Sequence, residues 1–251
     1  MTIENNVTQK IIVFATILAL PFALGAFVLA WAPAHQFDLS DPRGDGYVPP
    51  RSIEKLVLRV QDSTVTVFCK HTDPKKDTLG SAWAIDLKND QGDKYPTTLI
   101  TNHHVIDDCL DGKGTLTVAA LYGKEFPAII DNYDAENDLA SVATSLELKP
   151  LKLSEFEPWP GYWVAAIGSA DGYEGSVAFG NVLNGSKYEV LITVPLSHGN
   201  SGGPLVDNEG NVVGTNSFGQ IGEQYNGAMS LNALCVKIMK CEGDLYWDRE
   251  D

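Results

Sequence analysis

From Ser52 onward the chain falls into short runs rich in β-branched residues, each closed by turn formers, and this punctuation constrains the fold more than any other feature. The runs are Ser63 to Phe68, Thr97 to Thr101, Thr115 to Leu121, Trp163 to Ile167, Glu189 to Val194 and Asn211 to Asn216. Val, Ile and Thr are stiff at the first side-chain torsion and pack well on a pleated, half-buried surface. Short strands recurring at this spacing predict an all-β sandwich or barrel, in which closure removes exposed sheet edges. The short amphipathic stretch from Ser230 to Met239 predicts one terminal helix.

The N-terminus obeys a different rule. No residue from Ile11 to Trp31 is charged, and at 1.5 Å rise per residue a helix of that length measures roughly 31 Å, close to the thickness of a bilayer core. Residues 1–34 therefore read as an N-terminal membrane anchor or signal segment in which Ile11 to Trp31 forms one transmembrane helix, with Trp31 at the boundary suiting an interfacial anchor. Lys10 precedes the run and Asp38, Asp41 and Asp45 follow it, a bias that places the remainder of the chain outside the cytoplasm. Ala32-Pro33-Ala34 has the form of a signal-peptidase site, but the apolar run is longer than a signal core of about 7–15 residues, so a retained anchor is favoured over secretion after cleavage near Ala34. Residues 35–51, rich in Pro, Gly and Asp, read as an extended linker to a domain spanning 52–251. The 33 acidic and 18 basic side chains give a formal charge of −15, and this field excludes nucleic acid as a partner.

Gly199-Asn200-Ser201-Gly202-Gly203-Pro204-Leu205 places a serine among glycines. Glycine lets the backbone turn sharply, so the N–H groups of Gly199 and Ser201 can converge on an oxyanion formed by attack of the Ser201 hydroxyl. Such a serine needs a base and a carboxylate that orients the base. Thr101-Asn102-His103-His104-Val105 supplies two imidazoles, and Asp134 and Asp138 stand before the apolar run Leu139 to Val142. Asp134 sits in a polar loop and reads as solvated surface. His103 and His104, read as neighbours on an extended segment, point to opposite faces, so one of them can meet Ser201.

The segments Thr101 to Val105, Asp138 to Ala140 and Gly199 to Leu205 resemble the T-N-x-H-V, D-L/I-A and G-N-S-G-G-P-L motifs of the chymotrypsin-like (trypsin-fold) serine peptidases, closest to the bacterial Deg/HtrA type. Gly80 to Ile85 is similar to the family's G-S-G-F strand, with Ala82 in place of its usual second glycine. Val164 to Gly168 and Gly210 to Gly214 also match, in family order. The resemblance implies two six-stranded antiparallel β-barrels, residues 52–154 and 155–242, joined through Glu155 to Tyr162 and followed by a short helix. It implies His104 as general base, Asp138 as its orienting carboxylate, Ser201 as nucleophile, and the Gly199 and Ser201 N–H groups as the oxyanion hole. Asn200 lacks the charge needed for activation by a new N-terminal ammonium. Ser217-Phe218-Gly219 resembles the edge strand that pairs with extended substrate, its serine bonding the carboxylate.

By the same resemblance, the first side-chain pocket lies between Val194 to His198, with Pro195 and His198 as its candidate contacts, and Ser217 to Gly219. It contains no aspartate at its floor, which implies an uncharged P1 residue. Four cysteines in an exported chain suggest disulfides, with three pairings open. The resemblance favours Cys69–Cys109, which ties the histidine loop to an earlier strand, and leaves Cys235–Cys241. The second pair requires the terminal helix to end before Cys241, because residues six apart do not share a helical face. The cysteine spacings fit no zinc pattern, and the expected chemistry needs neither metal nor cofactor. The chain is expected to lack the PDZ modules of many Deg/HtrA members, and no motif specifies an oligomeric state. The expected function is a membrane-tethered or secreted serine endopeptidase acting on polypeptides. A catalytically silent trypsin-fold peptide binder of the envelope is the alternative.

Overall fold

The computed structural model describes residues 46–219, 225–241 and 246–247. The expected anchor and most of the linker lie outside these residues. Among the described residues no helix is long and apolar enough to cross a membrane.

The first six strands are β1 (Thr64–His71), β2 (Thr78–Ile85), β3 (Thr97–Thr101), β4 (Gly114–Ala120), β5 (Glu125–Asp134) and β6 (Leu139–Thr144). They close into a barrel in the order β1-β2-β3-β6-β5-β4. The next six are β7 (Trp163–Gly168), β8 (Ser176–Gly185), β9 (Glu189–Ile192), β10 (Pro204–Val206), β11 (Val212–Gly219) and β12 (Asn226–Ser230). They close as β7-β8-β9-β12-β11-β10, repeating the topology of the first half. Every strand pairing in both barrels is antiparallel.

The strand β2 explains why some segments read as continuous apolar runs rather than alternating ones. Ala82 and Ala84 point into the first barrel with Val65, Leu99 and Val142. Trp83 and Ile85 point the other way, into a cluster with Ile167, Leu205 and Val213 of the second barrel. The period of two is intact, but both faces are buried, as in any strand covered on two sides. Ile100 of β3 and Leu139 of β6 join Trp83 at this seam, and the Trp83 indole donates to the Thr215 hydroxyl across it (3.2 Å). The methyl group that Ala82 adds in place of glycine is fully buried in the first core.

The connector from β6 to β7 runs along both halves. Leu151 bridges to Ile85 and Leu153 to Val212, with the Leu151 N–H donating to Ala84 O (2.9 Å) and the Ser154 N–H to Val212 O (2.8 Å). Ahead of the barrels lies a helix absent from the sequence reading, α1 (Ile53–Gln61). It buries Leu56 and Val60, one turn apart, in the seam cluster.

After β3 a single turn of helix, α2 (His103–Ile106), carries the two histidines. The chain ends in α3 (Leu231–Leu234), whose N-terminus is capped by the Ser230 hydroxyl accepting from the Ala233 N–H. It continues as a wider, π-helical turn from Cys235 to Met239. Lys240 then adopts a left-handed conformation (φ 53°), which ends the helix and turns the chain back. Cys235 and Cys241 are bonded across this reversal, and Cys69 is bonded to Cys109.

Candidate active site

Asp138 lies at the end of the turn that joins β5 to β6, in the left-handed region (φ 49°). Aspartate tolerates that conformation better than most residues. The side-chain amide of the fully buried Asn102 donates to the Asp138 carbonyl (2.7 Å), so the asparagine that opens α2 fixes the backbone of the aspartate. The Asp138 carboxylate accepts from His104 Nδ1 (2.8 and 3.0 Å), from the His104 backbone N–H (3.0 Å) and from the Ser217 hydroxyl (2.6 Å). Burial pushes the Asp138 pKa up, but the bonds from His104 and Ser217 outweigh it and hold the carboxyl below its ordinary value. With Nδ1 turned to the carboxylate, Nε2 lies on the edge of the His104 ring away from Asp138.

The Ser201 hydroxyl donates to the Ser217 carbonyl (3.1 Å). It therefore stands beside the residue whose own hydroxyl reaches Asp138. Ser201 and His104 line one cleft together with Leu79, Val105, His198 and Gly199. Thr78, Asp171 and Gly172 complete its wall; sequence reasoning assigned them nothing, and no motif marks them.

Ser81 of β2 fastens the serine loop to the first barrel. Its N–H donates to Ser201 O (2.8 Å) and its hydroxyl to Gly199 O (2.7 Å). The same hydroxyl accepts from the Ser169 N–H (3.0 Å), and its carbonyl accepts from the Thr101 hydroxyl (2.7 Å). The approach is close enough that glycine is required at Gly202 (φ 86°), where a Cβ would overlap the Ser81 carbonyl oxygen. At Gly199 (φ 91°) a Cβ would strike the Ser169 carbonyl.

The remaining expected residues fall as follows. Ser217 is buried, while Pro195, His198 and Gly219 are exposed. The backbone of Phe218 pairs with Gly227, and β10 follows β11 only as far as Thr215. Beyond that point the β10 side of Ser217 to Gly219 has no strand neighbour among the described residues. His103 is not among the residues lining that cleft: its ring lies tilted beside Tyr133 (5.2 Å between ring centroids) and faces Asp107 (3.6 Å). The reason differs from the one expected, since the histidines occupy a helical turn rather than an extended segment. Asp134 corrects the sequence reading outright. It is 1% exposed rather than solvated, and it accepts from the Lys237 ammonium (2.9 Å) and from the Asn137 amide (2.6 Å). Its partner is more than a hundred residues away, which no local pattern reveals. Among the described residues no group of three or more His, Cys, Asp or Glu side chains could hold a metal ion.

Two antiparallel barrels that meet at a glycine-flanked serine, beside a hydrogen-bonded histidine and aspartate, define the trypsin-like class. Residues 80–214, more than half of the chain, match the family described as "Trypsin-like peptidase domain", and the chain belongs to that family. It is 33% identical over 168 residues to a probable periplasmic serine endoprotease, DegP-like, of Marinomonas sp. (strain MWYL1), covering 63% of this chain and 33% of that one. It is 28% identical over 202 residues to the putative protease Do-like 14 of Arabidopsis thaliana, covering 71% and 45%. The chain thus spans less than half the length of these relatives. Among solved structures, the serine endoprotease of Yersinia pestis superimposes with a TM-score of 0.61 at 25% identity, covering 73% of this chain and 64% of that chain. The active form of the Rv3671c protease of M. tuberculosis shares the fold, with a TM-score of 0.63 at 21% identity over 78% and 88%.

Proposed function

We propose that the protein is a serine endopeptidase in which Ser201 attacks the substrate carbonyl, His104 Nε2 takes the hydroxyl proton, and Asp138 holds the imidazole in the required tautomer. His104 then gives the proton to the leaving amine, and water hydrolyses the acyl-enzyme by the same route in reverse. The N–H groups of Gly199 and Ser201 receive the oxyanion. Rotation of the Ser201 hydroxyl from the Ser217 carbonyl towards His104 accompanies substrate binding, since such bonds are often unmade without substrate. The observation that carries the reading is the Asp138 carboxylate, held by Ser217 and by Nδ1 of the His104 that lines one cleft with Ser201.

Extended polypeptide adds to the open side of Ser217 to Gly219 by backbone pairing. The pocket between Val194 to His198 and that strand takes an uncharged P1 side chain: neither segment contains a carboxylate to meet Arg or Lys, nor a Lys or Arg to meet an acidic side chain. The uncharged run from Ile11 to Trp31 tethers the enzyme to a membrane with its barrels outside the cytoplasm. The periplasmic description of the Marinomonas relative agrees with that side.

A fluorophosphonate probe tests the chemistry. Wild type and His103→Ala are labelled, whereas Ser201→Ala and His104→Ala are not. Labelling of Ser201→Ala, or loss of labelling in His103→Ala with His104→Ala still reactive, overturns the assignment. An unlabelled wild type favours the silent peptide binder.

A further inference from the structure

The turn that carries Asp138 is held from two directions, and the second comes from the far end of the chain. The Asp134 carboxylate, at the last position of β5, accepts from the backbone N–H groups of Glu136 (3.1 Å) and Asn137 (3.3 Å) and from the Asn137 side chain (2.6 Å). It thereby shapes the loop that ends at Asp138 in its left-handed conformation. A carboxylate with so little water around it needs a counter-charge, and the ammonium of Lys237 provides it at 2.9 Å. Lys237 grips β5 a second time, its own carbonyl accepting from the Asn132 side-chain amide (2.7 Å). It stands in the π-helical turn whose first residue, Cys235, is bonded to Cys241 just beyond the turn, and which buries Cys235 and Ile238. The helix therefore presents Lys237 from a fixed base.

We infer that Lys237 and Asp134 are positioning residues: the Lys237 ammonium, held by the disulfide-closed terminal helix, fixes the turn from Asp134 to Asp138 so that the Asp138 carboxylate meets His104. The inference rests on the proposed roles of His104, Asp138 and Ser201. A staple that served stability alone would sit equally well against any turn of the barrel. This one instead acts on Asp134 and, through its carboxylate, on Glu136 and Asn137, which lead directly into Asp138. Displacements well under the size of an atom at such a position alter turnover without changing how substrate is held.

The test uses the full chain in detergent, from an oxidising host, with a chromogenic peptide carrying an uncharged P1 residue. The second readout is the proton NMR resonance of the His104 Nδ1 hydrogen shared with Asp138. Lys237→Met is expected to lower kcat about tenfold with KM changed less than twofold, and to shift or broaden the Nδ1 resonance. Lys237→Arg is expected to restore both. A folded Lys237→Met protein with kcat within twofold of wild type and an unmoved resonance overturns the inference, as does Lys237→Arg behaving like Lys237→Met. If Lys237→Met does not fold, Asn132→Ala removes the contact to the Lys237 carbonyl together with a local bond from the Tyr133 N–H, and a kcat about threefold lower with a broadened resonance supports the inference. Unchanged kcat and resonance in Asn132→Ala overturn it. A wild type without turnover refutes the proposed function instead, and the resonance still decides whether Lys237 positions Asp138.

Discussion

At the scale of single residues, Asp138 gathers donors from both barrels at its carboxylate, His104 from the first and Ser217 from the second. Its carboxyl lies below its ordinary pKa because the His104 and Ser217 bonds outweigh burial. The stability it contributes is therefore complete above the unfolded-state value and is lost as pH falls through the lower, folded one. Ser217→Ala removes one donor and moves the folded value upward. We expect a loss of about 1 kcal/mol of stability at neutral pH, and acid unfolding, followed by circular dichroism below about pH 4, that begins at a higher pH than in wild type. An unchanged acid transition would show that the Ser217 bond contributes nothing to the carboxylate. Much at this scale was legible beforehand, because His104, Asp138, Ser201 and Ser217 stand in contiguous motifs. Asp134 was not legible: its flanking polar residues look like surface, and only the return of the terminal helix buries it beside Lys237.

At the scale of elements, the glycine loop from Gly199 to Gly203 is shaped by what lies against it. Gly202 and Gly172 share a left-handed backbone (φ 86° and 82°), but a Cβ at Gly202 meets the Ser81 carbonyl, whereas a Cβ at Gly172 meets nothing within 4 Å. Gly172→Ala should therefore cost about 1 kcal/mol for the backbone alone, with labelling by the fluorophosphonate retained. Gly202→Ala should cost well beyond that and abolish labelling; equal thermal shifts for the two would contradict the close packing of the loop on β2. The strands read from the sequence coincide with β1, β3, β4, β7, β9 and β11 to within a few residues. The strand β5 was missed because its mixed, half-buried faces show no run of β-branched residues, and β10 because it is three residues long. The helix α1 escaped because only Leu56 and Val60 mark its inner face, while Ile53 and Leu58 are exposed.

At the scale of the whole molecule, the two barrels repeat one topology without a repeat in sequence, and the seam between them is lined by buried apolar side chains from both. The Cys69–Cys109 bond closes a loop of forty residues in the first barrel. Replacing both cysteines by alanine should lower the unfolding free energy by about 3–4 kcal/mol if chain entropy governs, as measured by denaturant titration of oxidised protein. Removing residues 1–34 should release a soluble domain that still reacts with the fluorophosphonate, and an inert product would mean that the barrels depend on the apolar segment. Fold class was readable from strand punctuation, but the seam was not, since which face of β2 meets which barrel depends on pairings that span the chain. Trp83, Ile85, Ile100 and Leu139 all lie on strands made early, yet they are covered by strands made late. Vectorial synthesis thus leaves a greasy facet bare until the later half emerges. A truncated domain ending between residues 145 and 162 should therefore bind a holdase chaperone, and the same domain extended past β12 should not.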